Sequence, residues 1–286
     1  MIGPALIVGA AGRLGASVVE AFAGAEVITH TRATLDIADP EAVRRTVAEA
    51  APAAIINCAA FNDVDGAEDQ PASAFAVNAF AVRSLARAAE ACGASFVHFG
   101  TDFVFDGEAA EPYTETAEPA PLSVYGLSKL LGEWFALDAP RGFVLRVESL
   151  FGAPVGWTGR ASSLDSIIAG LRQDREVRVF TDRVVSPSYV PDVANAVRHL
   201  LEVDAAPGLY HCVNSGHATW HEVAAEAARL LGVQPRLRSI TMDQAVSRAS
   251  RPRYCALAVG KISGAGFTMP PWKEALRRWL TSARTR

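Results

Sequence analysis

An apolar run gives way to glycine at Ala5-Leu6-Ile7-Val8-Gly9-Ala10-Ala11-Gly12-Arg13-Leu14-Gly15. The apolar part has no polar member, as a parallel strand covered on both faces requires. The three glycines permit a tight turn, close approach of backbone to a pyrophosphate, and close packing of the next helix on the strand. The N–H groups that open that helix then point at the anion. Strand, glycine turn and helix in this order predict a dinucleotide site, with Gly9, Gly12, Arg13 and Leu14 against the cofactor. The spacing is G-x-x-G-x-x-G rather than G-x-G-x-x-G, and the bland alternative is a plain tight turn.

The same alternation continues outward from this turn. Further apolar runs at 26–29, 53–59, 95–100 and 143–147 read as buried strands, and helices are expected to begin near Gly12, Pro40, Pro71 and Val124. Asp39-Pro40-Glu41 supplies an N-cap, a proline at the first helical position and an acid at the positive helix end. Alternating strands and helices behind a phosphate-type turn predict an α/β fold with a doubly wound parallel sheet. Strand two ends in Thr29-His30-Thr31-Arg32, without the carboxylate that would hold a ribose 2′-hydroxyl. Arg32 there favours a 2′-phosphate, hence NADPH, with NADH as the alternative; a solvated surface arginine is the other reading. Asp36 and Ile37 fall near the adenine. Cys58, Ala59 and Ala60 close strand three with the small side chains that a cofactor wall needs, and Cys58 reads as packing rather than as a nucleophile.

Composition narrows the class. The 286 residues are 50% hydrophobic, enough for one large or two small domains. A net charge of −4, with acids and bases interspersed, argues against a nucleic-acid partner. The four cysteines are far apart and fit free thiols in a reducing cytosol. Met1-Ile2-Gly3-Pro4 lacks a charged n-region, and no apolar run approaches the ~20 residues of a bilayer span. A cytoplasmic protein without a membrane partner is expected, and a homodimer is compatible with the sequence.

The chemistry is carried by Ser123-Val124-Tyr125-Gly126-Leu127-Ser128-Lys129. Tyr125 and Lys129 fall on one helix face, one turn apart. An ammonium near a phenol favours the phenolate, so the Tyr125 pKa is expected to fall from ~10 toward neutrality. Tyr125 then exchanges a proton with an alcohol–ketone pair. Strand four ends in Gly100-Thr101-Asp102 at the carboxyl edge where open α/β sheets bind ligands, and Thr101 there can donate to a carbonyl oxygen.

These residues resemble an extended short-chain dehydrogenase/reductase, and more narrowly the dTDP-4-dehydrorhamnose reductase family. The resemblance runs through GAAGRLG (9–15), LDIAD (35–39), AIINCAAFNDVDGAE (54–68), FAVNAFAVRSLARAA (75–89), VHFGTDFVFDG (97–107), PLSVYGLSKLLGE (121–133), SPSYVPDVANAV (186–197) and GLYHCVNSGHATWHEVA (208–224). It implies a Rossmann NADP-binding domain at 1–150, to which 187–204 returns, and a smaller C-terminal substrate-binding region at 151–286. It implies a nucleotide-sugar substrate whose 4-keto group is reduced, with Thr101, Tyr125 and Lys129 catalytic and Lys129 also on the nicotinamide ribose. Asn78 would sit beside the cofactor and order its surroundings. Asp102, Phe103 and residue Ser149 would face the sugar, and Arg251 the diphosphate, since a guanidinium matches phosphate geometry.

Departures from the family pattern bear on the substrate. Gly100 stands where the family carries a serine, and Arg146-Val147-Glu148-Ser149-Leu150-Phe151-Gly152 where it often reads Arg-Thr-Ser-Trp-Val-Tyr-Gly. Ser149 thus replaces the tryptophan that would pack on the sugar, so either another side chain such as Phe151 or Trp157 swings in, or the substrate differs from dTDP-4-dehydrorhamnose. His217 and His221 have HxxxH spacing, yet Thr219-Trp220-His221-Glu222 is a capping box that separates their faces, so no metal site is expected. A dehydratase or epimerase is the rival enzyme reading; Phe103 occupies the place of the acid that dehydratases tend to carry after Thr-Asp. A non-catalytic NADP-binding subunit is the rival from another class.

Overall fold

The computed structural model describes residues 3–154 and 156–282. Chain order in the first half is β1 (Ala5–Val8), α1 (Arg13–Ala21), β2 (Val27–His30), α2 (Pro40–Ala50), β3 (Ala54–Asn57), α3 (Val64–Asp69), α4 (Pro71–Phe75), α5 (Ala81–Cys92), β4 (Ser95–Thr101), α6 (Val124–Leu137) and β5 (Gly142–Val147). A π-helical segment, Ala76–Phe80, joins α4 to α5. The second half contributes β6 (Leu150–Phe151), α7 (Ser163–Arg172), β7 (Val177–Phe180), β8 (Val184–Val185), β9 (Ser188–Tyr189), α8 (Val190–Glu202) and β10 (Gly208–His211). It ends with β11 (Ala218–Thr219), α9 (Trp220–Leu231), β12 (Leu237–Ile240), α10 (Gly260–Gly264) and α11 (Trp272–Ser282).

Six parallel strands form the central sheet in the order β10-β5-β4-β3-β1-β2. This is a Rossmann-like, doubly wound sheet. β1, β3, β4 and β5 are buried along their whole length, which is why they read as nearly continuous apolar runs, broken by His98 in β4 and Arg146 in β5. β2 departs from that expectation: it is the sheet edge and is only partly buried. Helices α2 and α5 cover one face through Val43, Val47, Val82 and Leu85, while α1 and α8 cover the other through Val18, Val193 and Val197, with Phe22 just past α1.

The helix starts follow local chemistry. Asp39 accepts from the N–H groups of Glu41 and Ala42, with Pro40 in the first turn, and Ser123 accepts from Gly126 at the head of α6. Thr219 and Glu222 form the reciprocal capping box at α9. The helix expected at Pro71 is interrupted by the π-turn, and a short helix, α3, precedes it. The chain crosses between halves more often than the sequence boundaries suggest. Gly208–His211 supplies the sixth strand, and Ile262 and Met269 join the same core as α1 and α8. A separate core, built from Leu164, Ile168, Val179, Val223, Ala227 and Leu276 among others, holds the C-terminal lobe together.

Candidate active site

The glycine turn is shaped by contacts rather than by side chains. Gly9 has φ +76°, and a Cβ there would stand 2.6 Å from Ala59 N; a Cβ on Gly15 would stand 2.2 Å from the Gly9 carbonyl oxygen. The turn therefore lies tight against the chain that leaves β3, and α1 lies tight against the turn. Gly12 is the N-cap of α1 without a side-chain hydrogen bond, and the first turn holds no acid. The helix opens on unclaimed N–H groups beside a cavity of about 730 Å³. Gly9, Gly12, Arg32, Asp36, Ile37, Cys58, Ala59 and Ala60 line it. Asp36 spends one carboxylate oxygen on the N–H of Ala38.

A second cavity of about 450 Å³ shares Gly12, Cys58, Ala59, Ala60, Asn62 and Arg160 with the first, so the two adjoin. Thr101, Asp102, Phe103, Tyr125, Lys129, Glu148, Ser149, Leu14 and Arg13 lie around it. The topology brings Thr101 from the end of β4 against the Tyr125–Lys129 face of α6, twenty-four and twenty-eight residues away in sequence. Thr101 Oγ1 donates to Asp102 Oδ1 at 3.0 Å. Tyr125 meets the Phe103 ring edge-on, with centroids 5.4 Å apart. Lys129 Nζ donates to the Phe99 carbonyl at 2.6 Å.

The electrostatics of Tyr125 correct the sequence expectation. Burial pushes its phenol well above the ordinary value, the Asp102 carboxyl adds to this, and the Thr101 hydroxyl works weakly the other way. The Lys129 amine is itself drawn down to about 8 by burial, against the pull of Glu133. Desolvation of the phenol outweighs the cation expected to favour phenolate. Burial likewise raises the Cys58 thiol, which leaves it a wall rather than a nucleophile.

Other expected site residues are placed differently. Arg13 donates to the carbonyls of Gly152 (2.8 Å) and Arg160 (3.0 Å), pairs with Asp165 at 2.6 Å and lies over the Trp157 ring. It therefore pins the glycine turn to the C-terminal half. Asn78 lines neither cavity. Fully buried, it accepts from Phe61 N and donates to Phe61 O and Ser128 Oγ, and so holds the cavity wall. Arg251 is bound in two hydrogen bonds, 2.9 and 3.0 Å, by Asp65, whose carboxyl it holds down at about 2; it is no free diphosphate ligand. Phe151 is 0% exposed, stacked on Tyr189 and tilted against Trp279 in the C-terminal core, and Trp157 donates to the Ala11 carbonyl. Neither replaces the missing tryptophan beside Ser149, which sits at φ +45°. His217 faces the Tyr254 ring.

Trp220, beside Phe99, Phe103 and Tyr125, also reaches the second cavity, and in the sequence it figures only inside a capping box. It also borders a third cavity of about 480 Å³, lined by Arg175, Arg178 and Arg183. His98, Glu148 and Arg183 were missed as well. A histidine amid Phe96-Val97-Phe99 and a glutamate closing an apolar strand were the available signals.

A family model described as the RmlD substrate binding domain matches residues 4–285. The chain is 37% identical to a dTDP-4-dehydrorhamnose reductase of Streptomyces griseus, over 96% of this chain and 90% of that one. It is 36% identical to a probable dTDP-4,6-dihydroxy-2-methyloxan-3-one 4-ketoreductase of Streptomyces antibioticus, over 95% and 92%. Its fold matches the dTDP-4-dehydrorhamnose reductase of Bacillus anthracis in complex with NADP, with a TM-score of 0.92 at 30% identity, over 99% and 100% of the two chains.

Proposed function

The chain belongs to the RmlD substrate binding domain family, and we propose that it works as an NADPH-dependent reductase of a nucleotide-activated 4-keto-6-deoxyhexose, of the dTDP-4-dehydrorhamnose reductase type. One observation carries the reading: Thr101, Tyr125 and Lys129 line a cavity continuous with the glycine-turn cavity. The residues present suit the cofactor. Gly12, the uncapped head of α1 and the acid-free first turn fit a pyrophosphate, and Arg32, at the rim of the larger cavity, fits a 2′-phosphate. Bound NADPH supplies a hydride to the keto carbon.

The side chains do the rest. Tyr125, protonated because it is buried, is the proton donor that reduction needs. Thr101 turns its hydroxyl from Asp102 to the developing alkoxide, a donor aimed at charge that grows in the transition state. Lys129 offsets the phenolate left behind and holds the ribose. The sugar enters the 450 Å³ cavity past Trp220, and the diphosphate takes Arg175, Arg178 and Arg183, none of which is ion-paired with a described residue.

Among the described residues no helix is long and apolar enough to cross a membrane. The four unpaired cysteines support a cytoplasmic setting, and assembly as a homodimer is a separate reading for sedimentation. The test of function is a panel of 4-keto nucleotide-sugars with NADPH oxidation followed. Turnover of at least one is expected; NADPH binding with no turnover of any would favour the non-catalytic subunit instead.

A further inference from the structure

His98 is a polar residue in the buried centre of β4, and it is 1% exposed. Each ring nitrogen has one neighbour: Asn57 Nδ2 lies 3.2 Å from Nδ1, and Lys129 Nζ lies 3.4 Å from Nε2. A neutral imidazole offers one N–H and one bare nitrogen, so the two contacts have opposite polarity. Asn57 decides which is which. The Ala59 N–H, an unambiguous donor, points at Asn57 Oδ1 at 3.1 Å. The other end of that amide is therefore NH₂ and donates to His98 Nδ1. The ring proton then sits on Nε2 and faces Lys129. An ammonium has three donors and no lone pair, so it is repelled there, whereas a neutral amine accepts the bond.

We infer that the Asn57–His98 pair is a positioning device for Lys129: it holds His98 as the Nε2–H tautomer, loosens the proton on the Lys129 amine in the empty site, and makes nucleotide binding a proton-uptake event. The inference rests on the reading of Lys129 as the amine beside the cofactor. The remaining groups around Nζ do not reverse it. On α6, the Glu133 carboxylate favours the ammonium but is committed to Arg146, and Tyr125 is a neutral phenol. From β4, Nζ meets His98 and the Phe99 carbonyl, and either form of the amine donates to a carbonyl. Burial acts in the same direction, keeping His98 well below the ordinary imidazole range and Lys129 near 8. α6 comes this close because Gly132 has no side chain: a Cβ there would stand 2.0 Å from the Asn78 carbonyl oxygen and 3.3 Å from His98 Nε2.

Nitrogen-15 NMR of the histidine-labelled, cofactor-free protein at neutral pH reads the tautomer directly. A protonated Nε2 with a bare Nδ1 is expected; a protonated Nδ1 or an imidazolium overturns the inference. Titrating NADPH into weakly buffered protein near pH 8 is expected to draw a fraction of a proton per site, and no uptake overturns the coupling. His98→Phe keeps a ring beside Phe96, now 6.5 Å away, and removes the N–H. The alkaline limb of kcat/KM is then expected to rise by about one pH unit, the scale of one removed neighbour; a uniform loss with an unmoved limb means a structural role only and overturns it. The two measurements on the unmodified protein stand even if this variant does not fold. They also stand if no 4-keto sugar is reduced, an outcome that sinks the proposed function alone.

Discussion

Two buried ionic sites adjoin at the carboxyl ends of β4 and β5, one between β5 and α6 and one just past both strands, and they are built oppositely. In the first, Arg146 and Glu133 share three hydrogen bonds of 2.7–3.1 Å with side chains 3% and 1% exposed. Gly100, paired with Arg146 across the sheet, makes room for them: a Cβ there would stand 2.1 Å from Glu133 Oε1. The serine of the family pattern has no space in this chain. In the second site, just past the ends of both strands, Asp102 and Glu148 are both buried, and their carboxylate oxygens come within 4.8 Å of each other. Glu148 Oε2 accepts from Ser186 N, but Glu148 Oε1 and Asp102 Oδ2 have no partner. Burial raises both carboxyls, and Arg183 opposes this from a distance without an ion pair. Matched charge fastens α6 to the sheet; unmatched charge lines the cavity of Thr101 and Tyr125. Burial alone therefore does not separate the two: among the described residues, Arg146 leaves one nitrogen, Nη1, without a partner yet keeps its counter-ion, whereas neither carboxyl of the second site has an ion pair.

The largest expected effect falls on the matched site. Glu133→Ala leaves Arg146 buried and uncompensated, and a loss of about 3–5 kcal/mol in unfolding free energy is expected by urea titration. A loss under ~1 kcal/mol would mean that the pair is solvated and the contrast false. Next comes the cavity itself. Tyr125→Phe is expected to lower kcat by ~10²-fold or more while stability and NADPH affinity stay near those of the parent; near-normal turnover would remove Tyr125 from the proton transfer. Arg32→Ala, remote from both ionic sites, is expected to weaken NADPH binding by roughly ten- to a hundredfold, the scale of one charge-assisted hydrogen bond, and to leave NADH binding unchanged. Equal affinity of the parent for the two cofactors would defeat it.

The smallest effect tests the unmatched site by its pH dependence. Glu148 is raised above its ordinary 4.5 on folding. Its favourable share of stability is therefore complete below that value and is lost as pH rises through the folded value. Glu148→Gln should melt a little above the parent at pH 8 and lose that advantage by pH 4. An unchanged difference across this range would show that folding leaves the Glu148 carboxyl unshifted, and a Gln variant less stable than the parent at pH 8 would show a carboxylate held by a partner.

Much of the molecule was legible locally. The strands that became β1, β3, β4 and β5, the glycine turn, the Asp39 and Thr219 caps and the Tyr125–Lys129 face all depend on residues within a few positions of each other, where periodicity and backbone sterics decide. The helix break at Ala76–Phe80 was not, because Asn78 there is held by Phe61 and Ser128, seventeen and fifty residues away. Partners and protonation states were decided only by chain closure. Arg251 found Asp65 across 186 residues, Phe151 was drawn into the C-terminal core, and Trp220 rather than Trp157 reached the cavity of Thr101 and Tyr125. The phenol of Tyr125 is raised rather than lowered because desolvation depends on every chain segment that covers it, and no spacing of two residues encodes that sum.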